Sequence, residues 1–209
     1  MLDDGNCRVL TDPYLSENPL APVKPDAVSA DYICVTHGHG DHIGDTEQIA
    51  RRTGARICCP AELGSAVFAP QGLETIPANL GGTCKLPFGS VKLVPALHGS
   101  GVPGCLSCGF LLEIGGKKIY HAGDTALISD MALLADEEID VALLPIGDVY
   151  TMGPKDALRA VKMIRPKLVI PMHYNTFPLI VQDPHAFAEA VIAAGFQAAV
   201  LEPGETYSL

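Results

Sequence analysis

Apolar residues in this chain gather in short runs whose rhythm changes near the middle. In the first half, β-type runs recur at Arg8 to Thr11, Tyr32 to Thr36, Arg56 to Cys59, Val91 to Pro95, Phe110 to Ile114 and Lys117 to His121. The last two flank Gly115-Gly116, and two consecutive glycines supply the positive φ angles of a two-residue turn, so this stretch predicts a β-hairpin. A helix is predicted over Thr46 to Thr53, ended by Gly54, and another around Ser129 to Ala135.

The second half alternates strand and helix. Val141 to Ile146 and Leu168 to Met172 read as buried strands, with a further strand at Ala198 to Leu201. Between them lie two helical patterns. One opens at Gly153-Pro154, repeats apolar residues at Ala157, Leu158, Val161 and Ile164, and stops at Pro166. The other has Asp183 as cap, Pro184 in its first turn, Phe187, Val191 and Ala194 facing inward, and Gly195 as terminator. The pattern predicts an α/β (α+β) fold of two sheets packed face to face with helices outside. No repeat, linker or composition break divides it, so residues 1 to 209 are read as one domain.

Composition narrows the picture without changing it. Hydrophobic residues make up 48% and charged residues 18%, with 21 Gly and 17 Pro, which suits many short elements joined by tight turns. The formal net charge of −10 disfavours nucleic acid, and the adjacent basic pairs, Arg51-Arg52 and Lys117-Lys118, make no stripe. The amino terminus lacks a signal-peptide pattern and no apolar run is long enough to span a bilayer, so a cytoplasmic protein with no membrane partner is expected. Seven Cys, an odd number without framework spacing, are read as reduced thiols, including Cys105 and Cys108.

The chemistry sits after the run Tyr32-Ile33-Cys34-Val35. There Thr36-His37-Gly38-His39-Gly40-Asp41-His42 puts three imidazoles and a carboxylate at a strand end. Gly38 and Gly40 would let the backbone fold tightly enough for His37 and His39 to converge on one ion while Asp41 and His42 reach a second. Imidazole and carboxylate suit zinc foremost, and also manganese, nickel or iron.

His-x-His-x-Asp-His resembles the signature of the metallo-β-lactamase superfamily. Further ligand candidates follow apolar runs: His98 in Pro95-Ala-Leu-His98-Gly, Asp124 in His121-Ala-Gly-Asp124-Thr, and His173 in Ile170-Pro-Met-His173-Tyr. More closely, Asp12-Pro-Tyr-Leu15, Asn18 to Lys24, Thr36 to Asp45, Gly81-Gly-Thr83, Tyr120 to Thr125, Ala142 to Gly147, Thr151 to Pro154 and Pro171 to Pro178 resemble the UPF0173 metal-dependent hydrolases, which are similar to ascorbate-6-phosphate lactonases. The match runs from about Asp12 to Gly204.

That resemblance implies a four-layer αββα sandwich with the site at one edge. His37, His39 and His98 would hold one divalent ion, Asp41, His42 and His173 a second, and Asp124 would bridge them. One departure stands out: such proteins usually begin with a hairpin carrying a Gly-His-Ser or Gly-His-Ala segment, and this chain starts almost at the strand after it. A bare sheet edge and homo-oligomers are therefore expected.

The implied activity is hydrolysis of a small ester or lactone by dimetal-activated water, with Asp41 and Asp124 as catalytic residues. A phosphodiesterase or RNA-processing nuclease is the alternative enzyme reading, and a noncatalytic metal-binding module the alternative class. Asp12 is read as scaffolding for the ligand loop. His121 is either ligand support or a strand-end histidine. Tyr174, Asn175 and Thr176 either line the pocket or form a turn, and His185 belongs to the surface.

Overall fold

The computed structural model describes residues 1–209. In chain order β1 (Leu2–Asp3), β2 (Arg8–Thr11), β3 (Tyr32–Cys34), α1 (Gly40–Ile43), α2 (Thr46–Thr53), β4 (Arg56–Pro60), α3 (Ala61–Leu63) and β5 (Thr75–Ala78) build the first half. Their strands form a five-stranded sheet in the order β1-β2-β3-β4-β5, parallel except for β1.

The second sheet takes β6 (Thr83–Leu86), β7 (Gly89–Pro95), β8 (Cys108–Ile114), β9 (Lys117–His121), β10 (Val141–Pro145), β11 (Leu168–Met172) and β12 (Gln197–Ala198), with α4 (Pro154–Ile164) and α5 (Pro184–Ala193). Its order is β12-β11-β10-β9-β8-β7-β6. Strands β6 to β9 pair antiparallel and β9 to β12 parallel. The β8–β9 hairpin turns on Gly115 (φ 57°) and Gly116 (φ 73°), as the dipeptide requires.

Three apolar clusters separate four layers. The middle one lies between the sheets and takes Cys34, Val91, Leu93, Phe110, Leu112 and Ile119. Because side chains alternate along a strand, the neighbours of these residues face outward. Ile33 and Val35 meet Ile49 and Ala50 of α2. Tyr120, Ala142, Leu144 and Val169 meet Ala157, Ala160 and Val161 of α4 and Phe187 and Val191 of α5. Strands buried on both faces explain the near-continuous apolar runs. The αββα expectation is met.

Several local expectations need correction. The helix expected around Ser129 to Ala135 is a 3₁₀ helix over Ser129–Glu137; its buried residues, Met131 and Leu134, lie three apart, the spacing at which 3₁₀ side chains stack. The last strand is only Gln197–Ala198, since pairing with β11 ends when the Ala199 amide donates to Val169. Strands β5 and β6 went unpredicted because both are edge strands, and Pro77 in β5 reads as a breaker although an edge tolerates it. At the first sheet's edge β2 is not bare: Leu2 and Asp3 pair with Val9 and Arg8. No helix is long and apolar enough to cross a membrane.

Candidate metal centre

Each site residue stands just past a strand end. Asp12 follows β2, the His37-to-His42 segment follows β3, His98 follows β7, Asp124 follows β9 and His173 follows β11. Strands β7 and β9 both pair antiparallel with β8, and β9, β10 and β11 are parallel, so these three site-bearing strands end at one rim. Asp12 (φ 41°), His173 (φ 54°) and nearby Asn175 (φ 61°) hold left-handed backbone without being glycine. Such conformations cost on the order of 1–3 kcal/mol and persist where surroundings enforce them.

The ligand loop is pinned from two sides. The Gly38 amide donates to Ser100 O at 2.7 Å, and a Cβ on Gly38 would lie 2.9 Å from that oxygen and 2.5 Å from Val102 Cγ2. The missing side chain is what lets the His98 segment lie against the His37 segment. Gly40 differs: nothing lies within 4 Å of its virtual Cβ, and it simply begins the helical turn carrying Asp41 and His42. The expectation that both glycines are needed for tight folding is therefore corrected at Gly40. On the other side Asp45 ties the loop to the Asp12 segment, accepting from Leu15 N (2.8 Å), Ser16 N (2.9 Å) and Ser16 Oγ, while its own amide donates to Pro13 O.

The seven predicted residues converge. His39 Nδ1 lies 3.0 Å from His37 Nε2 and 3.3 Å from His98 Nε2. Asp124 Oδ2 lies 3.3 Å from His173 Nε2, 3.4 Å from His42 Nε2 and 3.7 Å from His98 Nε2, and Asp41 Oδ2 lies 3.6 Å from His173 Nε2. Donors about 2.05 Å from a tetrahedral ion sit about 3.3 Å apart, so these spacings fit a coordination shell. Three groups could each hold a metal: His37 with His39 and His98, His37 with His42 and Asp124, and Asp41 with His42 and His173. Buried His42 Nε2 and Asp124 Oδ1 have no hydrogen-bond partner, a cost of roughly 1–3 kcal/mol per group that a cation would remove. The donor set therefore fits divalent ions.

Behind the ligands a hydrogen-bond network orients the rings. His42 Nδ1 donates to Asp12 Oδ2 at 2.8 Å, and Thr36 donates to the same carboxylate through N (2.8 Å) and Oγ1 (2.6 Å). Thr36 Oγ1 then accepts from His37 Nδ1 at 2.9 Å. Both rings are thus held with Nε2 facing the site. Asp12 takes the scaffolding role expected of it, while the part played by Thr36 was missed.

Burial governs the protons. It pushes His37 down to about 3 and also lowers His98 and His121. Burial disfavours charge on His42 too, but the Asp12 and Asp124 carboxylates outweigh it and hold the ring well above its usual value. For Asp41 and Asp124 burial acts in the opposite sense, raising them, and each is nonetheless kept low, by His173 and His42 respectively.

His121 is buried, lines the cavity floor, and accepts from Gly123 N through Nδ1 at 3.3 Å, which leaves the neutral ring's proton on Nε2. Of the residues after His173, Thr176 lines the cavity, Tyr174 packs on the core, and Asn175 closes a turn by accepting from Gln182 N. His185 is exposed and the seven cysteines are free. Sequence reasoning missed the cavity's outer wall, where Tyr14 and Phe177 place ring centroids 6.2 Å apart beside Tyr150 and Leu179. Those residues come from separate loops and no local motif marks them.

Residues 7–174 match the β-lactamase superfamily domain. A UPF0173 metal-dependent hydrolase of Symbiobacterium thermophilum is 52% identical over 213 residues, spanning all of this chain and 95% of that protein. One from Thermus thermophilus is 46% identical, spanning 100% and 94%. Among solved structures, Igni18, a metallo hydrolase from Ignicoccus hospitalis, is 40% identical with a TM-score of 0.89, covering 95% of this chain and 89% of its own. A strand-end rim of converging His and Asp, together with these full-length likenesses, leaves one conclusion: the chain belongs to the UPF0173 metal-dependent hydrolase family of the metallo-β-lactamase superfamily.

Proposed function

We propose that this metal-dependent hydrolase cleaves a small ester or lactone at a dinuclear centre, with residues 1–209 acting as one domain. The supporting observation is the convergence of seven ligand atoms, with buried His42 Nε2 and Asp124 Oδ1 left without hydrogen-bond partners. His37, His39 and His98 would hold one ion, Asp41, His42 and His173 the other, and Asp124 would bridge. Zinc suits the donors first, with manganese, nickel and iron as competitors. Divalent ions held there would supply a water acidified to a pKa of about 7 and a Lewis acid for a carbonyl oxygen.

The chain's own residues do the rest. Asp41 is the more exposed of the two site carboxylates, so it is the one open to take the proton of the attacking water and return it to the leaving alkoxide. Asp124 is buried and fixed, which suits a bridging ligand more than a proton carrier. Asp12 and Thr36 keep His42 and His37 in the tautomers that ligation needs.

Elemental analysis of the purified protein, paired with lactone, ester and phosphodiester panels before and after chelation, tests the reading. It expects about two divalent ions per chain and ester or lactone turnover that chelation removes and metal restores. Bound metal without turnover on any substrate would instead indicate a noncatalytic module.

A further inference from the structure

Resting on the hydrolase reading above, we infer that the substrate is a neutral carbonyl compound with an apolar arm, and not one carrying a phosphate or other anion away from the reacting bond. Outside the ligands the cavity widens into a vestibule of about 640 Å³, reached by His39, Asp41, His98, Asp124 and His173 on its inner side. Its outer wall is Tyr14, Tyr150, Phe177, Pro178 and Leu179. Tyr150 is 51% and Leu179 61% exposed, so large apolar side chains stand in water at the entrance to a catalytic cleft. Burying them against an apolar arm returns hydrophobic free energy that a hydrophilic substrate cannot recover.

Charge points the same way. Neither the vestibule nor the cavity beneath it is lined by any Lys or Arg. The charged residue on the vestibule wall beyond the ligands is Glu17, and Asp12, Asp41 and Asp124 lie deeper. Sites built for remote phosphate or carboxylate use guanidinium forks, ammonium groups or helix N-termini. Here the Tyr14 hydroxyl, a neutral donor on that wall, already donates to Glu17 O at 3.0 Å. An anionic tail held at this outer wall, away from the metal centre, would therefore meet Glu17 with no Lys or Arg beside it, on a chain whose formal net charge is −10.

The test uses the metal-loaded full chain and two readouts. Turnover is compared among neutral δ-lactones or aryl esters with arms of increasing length and among counterparts ending in phosphate. Binding of the matching lactams, which resist hydrolysis, is measured by calorimetry. Expected results are lactam affinity rising about fourfold per methylene until the wall is covered, and kcat/KM at least about tenfold higher for neutral than for phosphorylated esters. Leu179→Ser should raise KM for long arms more than for a methyl ester, and Glu17→Lys should narrow the neutral-over-anionic ratio by about tenfold.

A phosphorylated lactam that binds as tightly as its neutral twin, or lactam affinity indifferent to the arm, overturns the inference while leaving ester hydrolysis standing. Arm-dependent lactam binding without turnover of any ester supports the inference and removes the hydrolysis reading instead.

Discussion

Asp12 Oδ2 accepts the His42 Nδ1 proton at 2.8 Å, linking the end of β2 to a ligand on the turn after β3. Asp12 holds the Nδ1 side of the ring, opposite the Nε2 that lies 3.4 Å from Asp124 Oδ2, and so fixes which His42 nitrogen would face a metal. Asp12→Asn, which keeps the shape and loses the charge, is expected to weaken metal affinity about 10- to 100-fold. Chelator-competition titration measures this, with circular dichroism checking the fold. Unchanged affinity would show that His42 needs no such partner.

His42 also couples metal uptake to pH. Its raised pKa means the metal-free ring holds a proton at neutral pH, and ligation must displace it. His37, pushed down to about 3 by burial, has no proton to give. Affinity at the His42 ion should thus rise about tenfold per pH unit below the His42 pKa and flatten above it. Calorimetry in buffers of different ionisation enthalpy should find at least about one proton released per chain at pH 7, the His42 proton together with any from water the ions acidify. Release that stays nil across pH 6 to 8 would contradict the raised His42 pKa.

Removing Asp41 separates binding from chemistry. Asp41→Ala should lower metal content from about two ions towards one and cut kcat by at least about 100-fold. Asp41→Asn, which can still ligate through oxygen but cannot accept a proton, should retain more metal than the alanine variant and remain nearly inactive. Full activity in either variant would exclude the proton-transfer role.

Two glycines in the ligand loop should respond differently. Gly38→Ala drives a methyl group into Ser100 O and Val102, so a loss of about 1–3 kcal/mol and a lower Tm are expected, with His98 displaced from His39. Gly40→Ala meets open space in the first turn of α1 and should change stability by less than about 0.5 kcal/mol. Equal thermal shifts for the two variants would refute the close approach as the reason for Gly38.

The candidate ligand loop was legible because its signal is local. His37 to His42 packs four donors into six positions after an apolar run, whereas His98, Asp124 and His173 stand alone after β-type runs and are picked out by the resemblance to the metallo-β-lactamase superfamily. Helices α2, α4 and α5 announced themselves through Gly54, Pro154 and the Asp183 cap, whose carboxylate does accept from His185 N and Ala186 N. Edge strands β5 and β6 left little trace, since an edge accepts proline and polar residues that a central strand rejects.

The sequence by itself determined the central strands, the helices, the layered order and the candidate donors, because periodicity, caps and the clustered His-Asp motif act between near neighbours. Only tertiary structure decided that Thr36 bridges Asp12 to His37, that Gly38 rests on Ser100, and that Tyr14, Tyr150, Phe177 and Leu179 wall a vestibule lined by no Lys or Arg. Those relations join segments up to well over a hundred residues apart, and they exist because the two sheets pack face to face and bring their strand ends to one rim.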